Sequence, residues 1–258
     1  MNAIRRAWSA GERAAGTFVF SRDAAVSELA AMAGFDFVVA DMEHAALELR
    51  EVEQHIRAAR MHGASALVRV PGVAHTALAA KALDLGADGI VFPHFGVDLA
   101  ASRAATVMLR YAPGGMRPSC TGVRAAGYGL RPFAGYVRES DAGVLGIGLI
   151  EDMAAVENID TVLEQAPCDA VMPGPGDIAT SLGVPGEPGH PRVREAIEHT
   201  LARARHAGVR TGMYLNSLDE SADWRDAGLD FVVYLIDLKI LGAAFRDATR
   251  ALKPSSPP

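Results

Sequence analysis

The sequence predicts one α/β domain folded as a single (β/α)8 TIM barrel, and three observations carry that expectation. Eight apolar strand patterns alternate with eight helical ones along the 258 residues. The strand runs are continuously apolar, as parallel strands covered on both faces require. A module also recurs: AMAGFDFVVADMEH (31–44), ALDLGADGIVFPH (82–94) and WRDAGLDFVVYLID (224–237) each read as a helix end, a glycine cap and a short strand. An open doubly wound sheet is the competing architecture, but no glycine-rich dinucleotide fingerprint follows the first strand.

Taken in order, a first strand near 17–20 leads into a helix over 23–33, and the first copy of the module then supplies a strand near 36–40. A helix over 48–62 precedes the strand near 66–70, and a helix over 74–86 precedes the module's second strand near 89–92. A helix over 97–109 is followed by a long polar, glycine-rich stretch before the strand near 145–150. The remaining strands are expected near 169–172, 209–214 and 230–235, with helices over 152–166, 191–207, 218–227 and 238–252. The tail LKPSSPP, from about 253, is expected to fray. No internal domain boundary interrupts this series, so residues 1–258 are read as one catalytic domain.

Half the residues are hydrophobic, enough for a large core, while the net charge of -6 and pI near 5.7 argue against nucleic acid or an anionic membrane as partner. The start, MNAIRRAWSAGERAAG, lacks the apolar core of a secretory leader, so a cytoplasmic protein is expected. Cys120 and Cys168 fit no metal spacing and no disulfide framework.

Functional groups of such barrels gather at the C-terminal ends of the strands. Strand two ends in Asp41, followed by Glu43 and His44, and strand three's ALVRVPG carries Arg69. Strand four ends in Pro93 and His94, strand five's GIGLIED in Glu151 and Asp152, and strand six's VMPGPGD runs into Gly176 and Asp177. Each has a bland explanation taken alone: Arg69 as an ion-pair partner, Glu151 as an acid at a helix start, GPGD as a turn with an Asp N-cap. His94 is left with that explanation. For the others, joint placement on successive strand ends outweighs it.

Glu151 and Asp177, with no cysteine or partner histidine, make an oxygen-rich pair suited to Mg²⁺ or Mn²⁺ rather than structural zinc. Arg69 supplies a permanent bidentate cation for a carboxylate. His44, of a residue type that titrates near neutrality, is read as a general base or acid oriented by Asp41. The glycines of GPG let backbone N–H groups approach a ligand closely. Together these suit enolate chemistry beside a carboxylate.

These runs resemble the HpcH/HpaI aldolase family of metal-dependent 2-oxo acid aldolases, related to the citrate lyase β-subunit type. The resemblance rests on D-M-E-H after strand two, L-V-R-V-P, G-A-D-G-I-V-F-P-H, I-E with A-V-E-N-I, and G-P-G-D-I-A-x-S-L-G with P-G-H-P, in order over nearly the whole chain. It implies that Glu151 and Asp177 hold a divalent metal (Mg²⁺ or Mn²⁺, with Co²⁺ possible) and that Arg69 contacts the pyruvyl group. His44 and Asp41 would form the acid/base pair, and the backbone at Gly176 and Asp177 would hold the substrate carboxylate. It further implies reversible cleavage of a 4-hydroxy-2-oxo acid to pyruvate and an aldehyde. The assembly implied is a homo-oligomer, trimer or hexamer, whose last helix packs into a neighbouring subunit.

Three positions depart from the family pattern. Leu149 stands where Q-V-E or Q-I-E is usual, Gly115, Met116, Arg117 and Pro118 replace G-[VI]-R-G, and in YLIDLKIL Leu235 or a close neighbour falls where a glycine precedes D-x-x-L-L. The segment 111–130 is the expected specificity loop. Rival readings are an acyl-CoA lyase of the malyl-CoA or citramalyl-CoA type and a non-catalytic 2-oxo acid or metal-binding relative. A Schiff-base route lacks a lysine inside the barrel, since the chain has only Lys81, Lys239 and Lys253.

Overall fold

In a computed structural model residues 2–224 and 227–253 are described; residues 225 and 226 of the expected 218–227 helix, and the expected frayed tail from 254, lie outside them. The fold is the expected (β/α)8 barrel. Eight parallel strands close in sequence order: β1 (Ala14–Val19), β2 (Phe37–Asp41), β3 (Ser65–Arg69), β4 (Gly89–Phe92), β5 (Leu145–Ile150), β6 (Ala170–Pro173), β7 (Arg210–Leu215) and β8 (Phe231–Ile236), which pairs with β1. β1 starts at Ala14 rather than near 17. Ala14, Ala15 and Gly16 have weak strand propensity but pair with β8, and Gly16 also pairs with β2, where any Cβ would strike the Phe37 ring.

The expected helices are α2 (Ala25–Met32), α3 (Leu49–Met61), α4 (Thr76–Leu85), α5 (Leu99–Val107), α10 (Pro191–His206), α11 (Leu218–Asp223) and α12 (Asp237–Leu252). The one expected over 152–166 is broken at Asn158 into α7 (Met153–Glu157) and α8 (Ile159–Gln165), where the Asn158 amide donates to the Ala154 carbonyl. Among the described residues, three α-helices were not anticipated. α1 (Ala3–Ser9) runs beneath the barrel, its Trp8 indole donating to the Asp230 carbonyl. α6 (Phe133–Gly143) is disguised by its glycines but buries Tyr136 and Ser140, one turn apart. α9 (Pro175–Ser181) starts on the proline of GPGD.

Continuous apolar strands prove to serve two cores on alternate residues. Phe37, Val39, Leu67, Val91, Ile147, Leu149, Phe231 and Val233 fill the barrel, while Val38, Ala40, Val68, Ile90, Ile150 and Val171 face the helices. This parity aims the polar residues at the strand ends: Asp41, Arg69 and Glu151 continue the inward series of β2, β3 and β5.

The aspartate of the module's G-x-D, at 36, 88 and 230, has its cause at the N-terminal ends of the strands, and Asp169 of P-C-D plays the same part. Asp36, Asp88, Asp169 and Asp230 each precede an even-numbered strand and accept a backbone N–H of the strand before it: Ala15 at 2.9 Å, Ala66 at 3.0 Å, Gly146 at 2.8 Å and Thr211 at 2.8 Å. Arg60 pairs with Asp88, Arg5 and Arg110 with Asp169, and Arg210 with Asp230. Each such charge-assisted bond is worth about 1.5–3 kcal/mol, so this floor is a ring of stabilising clamps.

The segment 111–130, expected as a specificity loop, belongs to the same end and does not lie over the strand C-termini of this chain. Buried Arg117 donates to Asp84, Ser140 and Tyr136, and Arg124 donates to the Leu85 carbonyl at the end of α4. A cavity of about 440 Å³ lies here as well, lined by Ser65, Asp88, Arg117 and Tyr136, on the far side of the barrel from the strand C-termini. α12 buries only Asp237 and leaves Leu238, Phe245 and Leu252 exposed. No helix of the described residues is long and apolar enough to cross a membrane.

Candidate active site

Adjacent strands bring Asp41 and Arg69 into register at the barrel mouth. Asp41 is fully buried; its Oδ2 accepts Nε of Arg69 at 3.1 Å and a short second bond from Nη2. Its Oδ1 accepts the backbone N–H groups of Glu43 at 2.8 Å and His44 at 3.1 Å. Asp41 therefore fixes the His44 main chain and the Arg69 fork, whereas the sequence suggested a contact to the His44 ring. The reason is length: a carboxylate two or three residues upstream closes an Asx-type turn onto the backbone before it can reach the imidazole. Arg69 stacks 4.5 Å above Phe18, and its Nη1 lies 3.2 Å from Glu43 Oε2.

Glu43, given no role from sequence, sits at the centre. Its half-buried side chain stands between Arg69, the His44 ring at 3.7 Å and the His94 ring at 3.9 Å. Burial raises its pKa; Arg69 opposes this, and Asp41 and Asp177 add to it. The signal was in D-M-E-H itself, since residue 43 continues the inward parity of 37, 39 and 41. His44 stands at the rim with its ring 59% exposed.

On the opposite wall Glu151 is buried, and burial pushes its carboxyl up to about 7. The His94 N–H and charge oppose that rise, while Asp177 and Glu43 reinforce it. Glu151 Oε1 accepts the His94 backbone N–H at 2.7 Å. Oε2 lies over Gly174, where an added Cβ would come within 2.7 Å, so only glycine leaves that oxygen its place. Gly176 and Asp177 are exposed in the first turn of α9, and a Cβ at Gly176 would meet nothing within 4 Å.

His94, assigned no role from sequence, is held at φ 48° with Nδ1 2.9 Å from Asp152 Oδ2 and 3.7 Å from Glu151 Oε1. Burial works to lower its pKa, but the Asp152 bond and the charges of Glu151, Asp152 and Glu43 outweigh it and leave it raised. Leu149 packs inside the barrel and adds no polar group.

The donor set fits a hard divalent ion. Glu151 is a buried carboxylate raised by desolvation and like charge, the condition a cation relieves, and Asp177 lies near enough to act on it. Among the described residues no three His, Cys, Asp or Glu side chains converge into a cage, so such an ion would complete its shell with water and substrate.

Comparison with known proteins agrees with this barrel. The model of a family described as HpcH/HpaI aldolase/citrate lyase matches residues 14–243. The 4-hydroxy-2-oxovalerate aldolase of Rhodococcus jostii (strain RHA1) is 35% identical over 243 residues, 93% of this chain and 92% of that protein. The hydroxypyruvate/pyruvate aldolase of Pseudomonas aeruginosa is 30% identical over 260 residues, covering 100% and 95%. The solved HpcH/HpaI aldolase from Desulfitobacterium hafniense DCB-2 matches with a TM-score of 0.89 at 28% identity, over 98% of this chain and 97% of that one. The protein is an enzyme of the aldolase type, a lyase. The chain belongs to the HpcH/HpaI aldolase/citrate lyase family.

Proposed function

We propose that the protein is a divalent-metal-dependent (class II) aldolase that reversibly cleaves a 4-hydroxy-2-oxo acid to pyruvate and an aldehyde. The observation that carries this is the mouth itself: the buried carboxylate of Glu151, raised to about 7 beside Asp177, faces an Arg69 fork fixed by Asp41 and Glu43. The names of the relatives, a 4-hydroxy-2-oxovalerate aldolase and a hydroxypyruvate/pyruvate aldolase, support the same substrate class.

Glu151 and Asp177 would hold Mg²⁺ or Mn²⁺, with Co²⁺ a third option. When bound, the ion supplies Lewis-acid polarisation of the 2-oxo group. The backbone at Gly176 and Asp177 receives the substrate carboxylate. His44, exposed at the rim, takes the proton of the 4-hydroxyl; the C3–C4 bond breaks, its electron pair passes to the C2–C3 enolate, and the aldehyde departs. Arg69 faces the charge that develops on the 2-oxo oxygen, and a proton returned by His44 to C3 gives pyruvate.

The enzyme would work in the cytoplasm as a homo-oligomer, trimer or hexamer, without nucleic acid or membrane partners. The exposed apolar residues of α12 support exchange of that helix with a neighbouring subunit.

Deuterium exchange into the pyruvate methyl group, followed by NMR in D₂O with Mg²⁺ or Mn²⁺ added to metal-stripped protein, tests this reading. Metal-dependent exchange that disappears in Glu151→Ala and His44→Ala is expected. Its absence in the wild type, with metal binding demonstrated, would sink the pyruvate reading and turn attention to CoA thioesters.

A further inference from the structure

The cavity at the barrel floor carries a charge opposite to that of the chain. The sequence as a whole has a net charge of -6, yet among the described residues this space of about 440 Å³ is lined by four arginines, Arg6, Arg60, Arg117 and Arg131, against two carboxylates, Asp88 and Glu139. A fifth guanidinium stands at the wall. Gly86 lines the cavity, and Nη1 of Arg124 and of Arg60 lie 2.6 and 3.8 Å from the point that a Cβ on Gly86 would occupy. Burial and the charges of Arg57 and Arg60 lower the Arg124 pKa, so these cations repel one another where water screens them poorly. An anion placed among them relieves that repulsion.

The donors are held in place before any ligand arrives. Arg117, its side chain 1% exposed, packs 4.7 Å over the Tyr111 ring and donates to Asp84, Ser140 and Tyr136. Its buried Nε nevertheless has no hydrogen-bond partner, a costly state for a guanidinium N–H. Arg131 stacks 4.9 Å over Tyr136, and Nη2 of Arg6 donates to the Gly63 carbonyl at 2.9 Å. Arg6, Arg60 and Arg131 are exposed, which opens the cavity to solvent on that side.

Geometry then selects among anions. Arg6 comes from α1, Arg60 from α3, Arg117 from the stretch after α5 and Arg131 from the approach to α6, so the guanidinium groups meet the cavity from several directions. A tetrahedral phosphate offers three oxygens to such a set, whereas a carboxylate offers two in one plane. Phosphate also carries about 1.5 to 2 negative charges near neutral pH, which matches the surplus of arginine over carboxylate.

We propose that the floor cavity is a binding site for a phosphate dianion, free or as the monoester of a small metabolite, held by Arg6, Arg60, Arg117 and Arg131. The site lies on the far side of the barrel from the mouth and does not depend on the aldolase reading.

Calorimetric titration of the full chain, stripped of metal so that no cation draws phosphate to the mouth, tests this with inorganic phosphate, glycerol 3-phosphate and succinate at matched ionic strength. At least one phosphate form should bind with a Kd of about 1 mM or tighter, and the tighter of the two identifies the source. At a hundredfold excess over Kd it should raise the melting temperature by about 5–10 °C. Succinate should bind about tenfold more weakly or worse, having lost one charge-assisted bond. Arg6→Gln and Arg131→Gln, both at exposed side chains, should each weaken phosphate binding by about tenfold for the same reason. Arg69→Lys, at the mouth, should leave it unchanged. No binding of either phosphate, succinate bound as tightly as phosphate, an affinity that either floor substitution leaves unmoved, or an equal weakening in Arg69→Lys overturns the proposal.

Discussion

Carboxylates stand at both ends of this barrel, and the two ends treat them in opposite ways. At the floor, Asp36, Asp88, Asp169 and Asp230 each receive a backbone N–H, and Asp88, Asp169 and Asp230 an arginine as well. At the mouth, Glu151 is buried and Glu43 half-buried, with Asp177 nearby and too few donors, and burial raises both. The same chemical group is a clamp where donors are supplied and a destabilising charge where they are withheld. Fold stability and reactivity are thus separated along one sheet, which leaves the mouth free to hold an arrangement that stability alone would not select.

The largest way to break this contrast is at Glu151. Glu151→Ala should lower metal-dependent pyruvate exchange by about 10³-fold or more, on the order of 4 kcal/mol of barrel-mouth stabilisation. The near-isosteric Glu151→Gln should leave the metal-free protein melting at or above the wild type, because it removes a poorly solvated charge. A Gln variant that melts clearly lower would show that this carboxylate is a clamp after all. Asp88→Ala should do the reverse. It strands the Ala66 N–H and Arg60 and should cost about 1–3 kcal/mol in denaturant unfolding, with exchange per folded molecule within twofold of the wild type. Equal melting of Asp88→Ala and the wild type would remove the floor's half of the comparison.

The pH dependence sharpens it. Glu151 titrates at about 7 in the folded chain against an ordinary 4.5, so between those values the folded state binds more protons than the unfolded one. Its contribution to metal-free stability is complete below about pH 4.5 and is lost as pH rises to about 7. Metal must displace that proton, so affinity should fall by up to tenfold per unit as pH drops below about 7, with proton release visible by calorimetry in two buffers of different ionisation enthalpy. Affinity that is flat from pH 5.5 to 7.5 would contradict this.

Much of this was legible in sequence, for physical reasons that also mark where reading stopped. Apolar runs set the eight strands, and position at the strand C-terminal ends then placed Asp41, Arg69 and Glu151 at one mouth without any contact being known. The partners of those groups were not legible. Asp41 turns to backbone and Arg69, and His94 joins Asp152 across two loops, because hydrogen bonding is decided by ångström-scale loop geometry that no spacing encodes. The floor was half legible: the repeat of helix end, glycine cap and strand was visible, but nothing in it marked the aspartate as a clamp on the neighbouring strand. Segment 111–130 could be read as a loop but not placed, because glycines and arginines signal a loop without saying which face it covers; it lies at the floor.

The smallest expected effect concerns Leu235, at the mouth end of β8, at or beside the position where the family pattern suggested glycine. Its φ of 50° is a left-handed conformation that costs an L-residue about 1–2 kcal/mol, set against about 0.5–1 kcal/mol of extra chain entropy for glycine. Leu235→Gly should therefore stabilise by up to about 1 kcal/mol, and Leu235→Val, stiff at its branched Cβ, should destabilise by a similar amount. The conformation is held from the next turn, where Asp237 accepts the N–H groups of Phe20, Ser21 and Leu238 at 2.9, 3.0 and 2.8 Å. Gly16 supplies the control: there glycine is required by the Phe37 ring rather than by backbone angle, so Gly16→Ala should destabilise where Leu235→Gly does not. A Leu235→Val variant that melts with the wild type would place no strain at β8 and leave His94 as the mouth's one strained residue among those flanking its carboxylates.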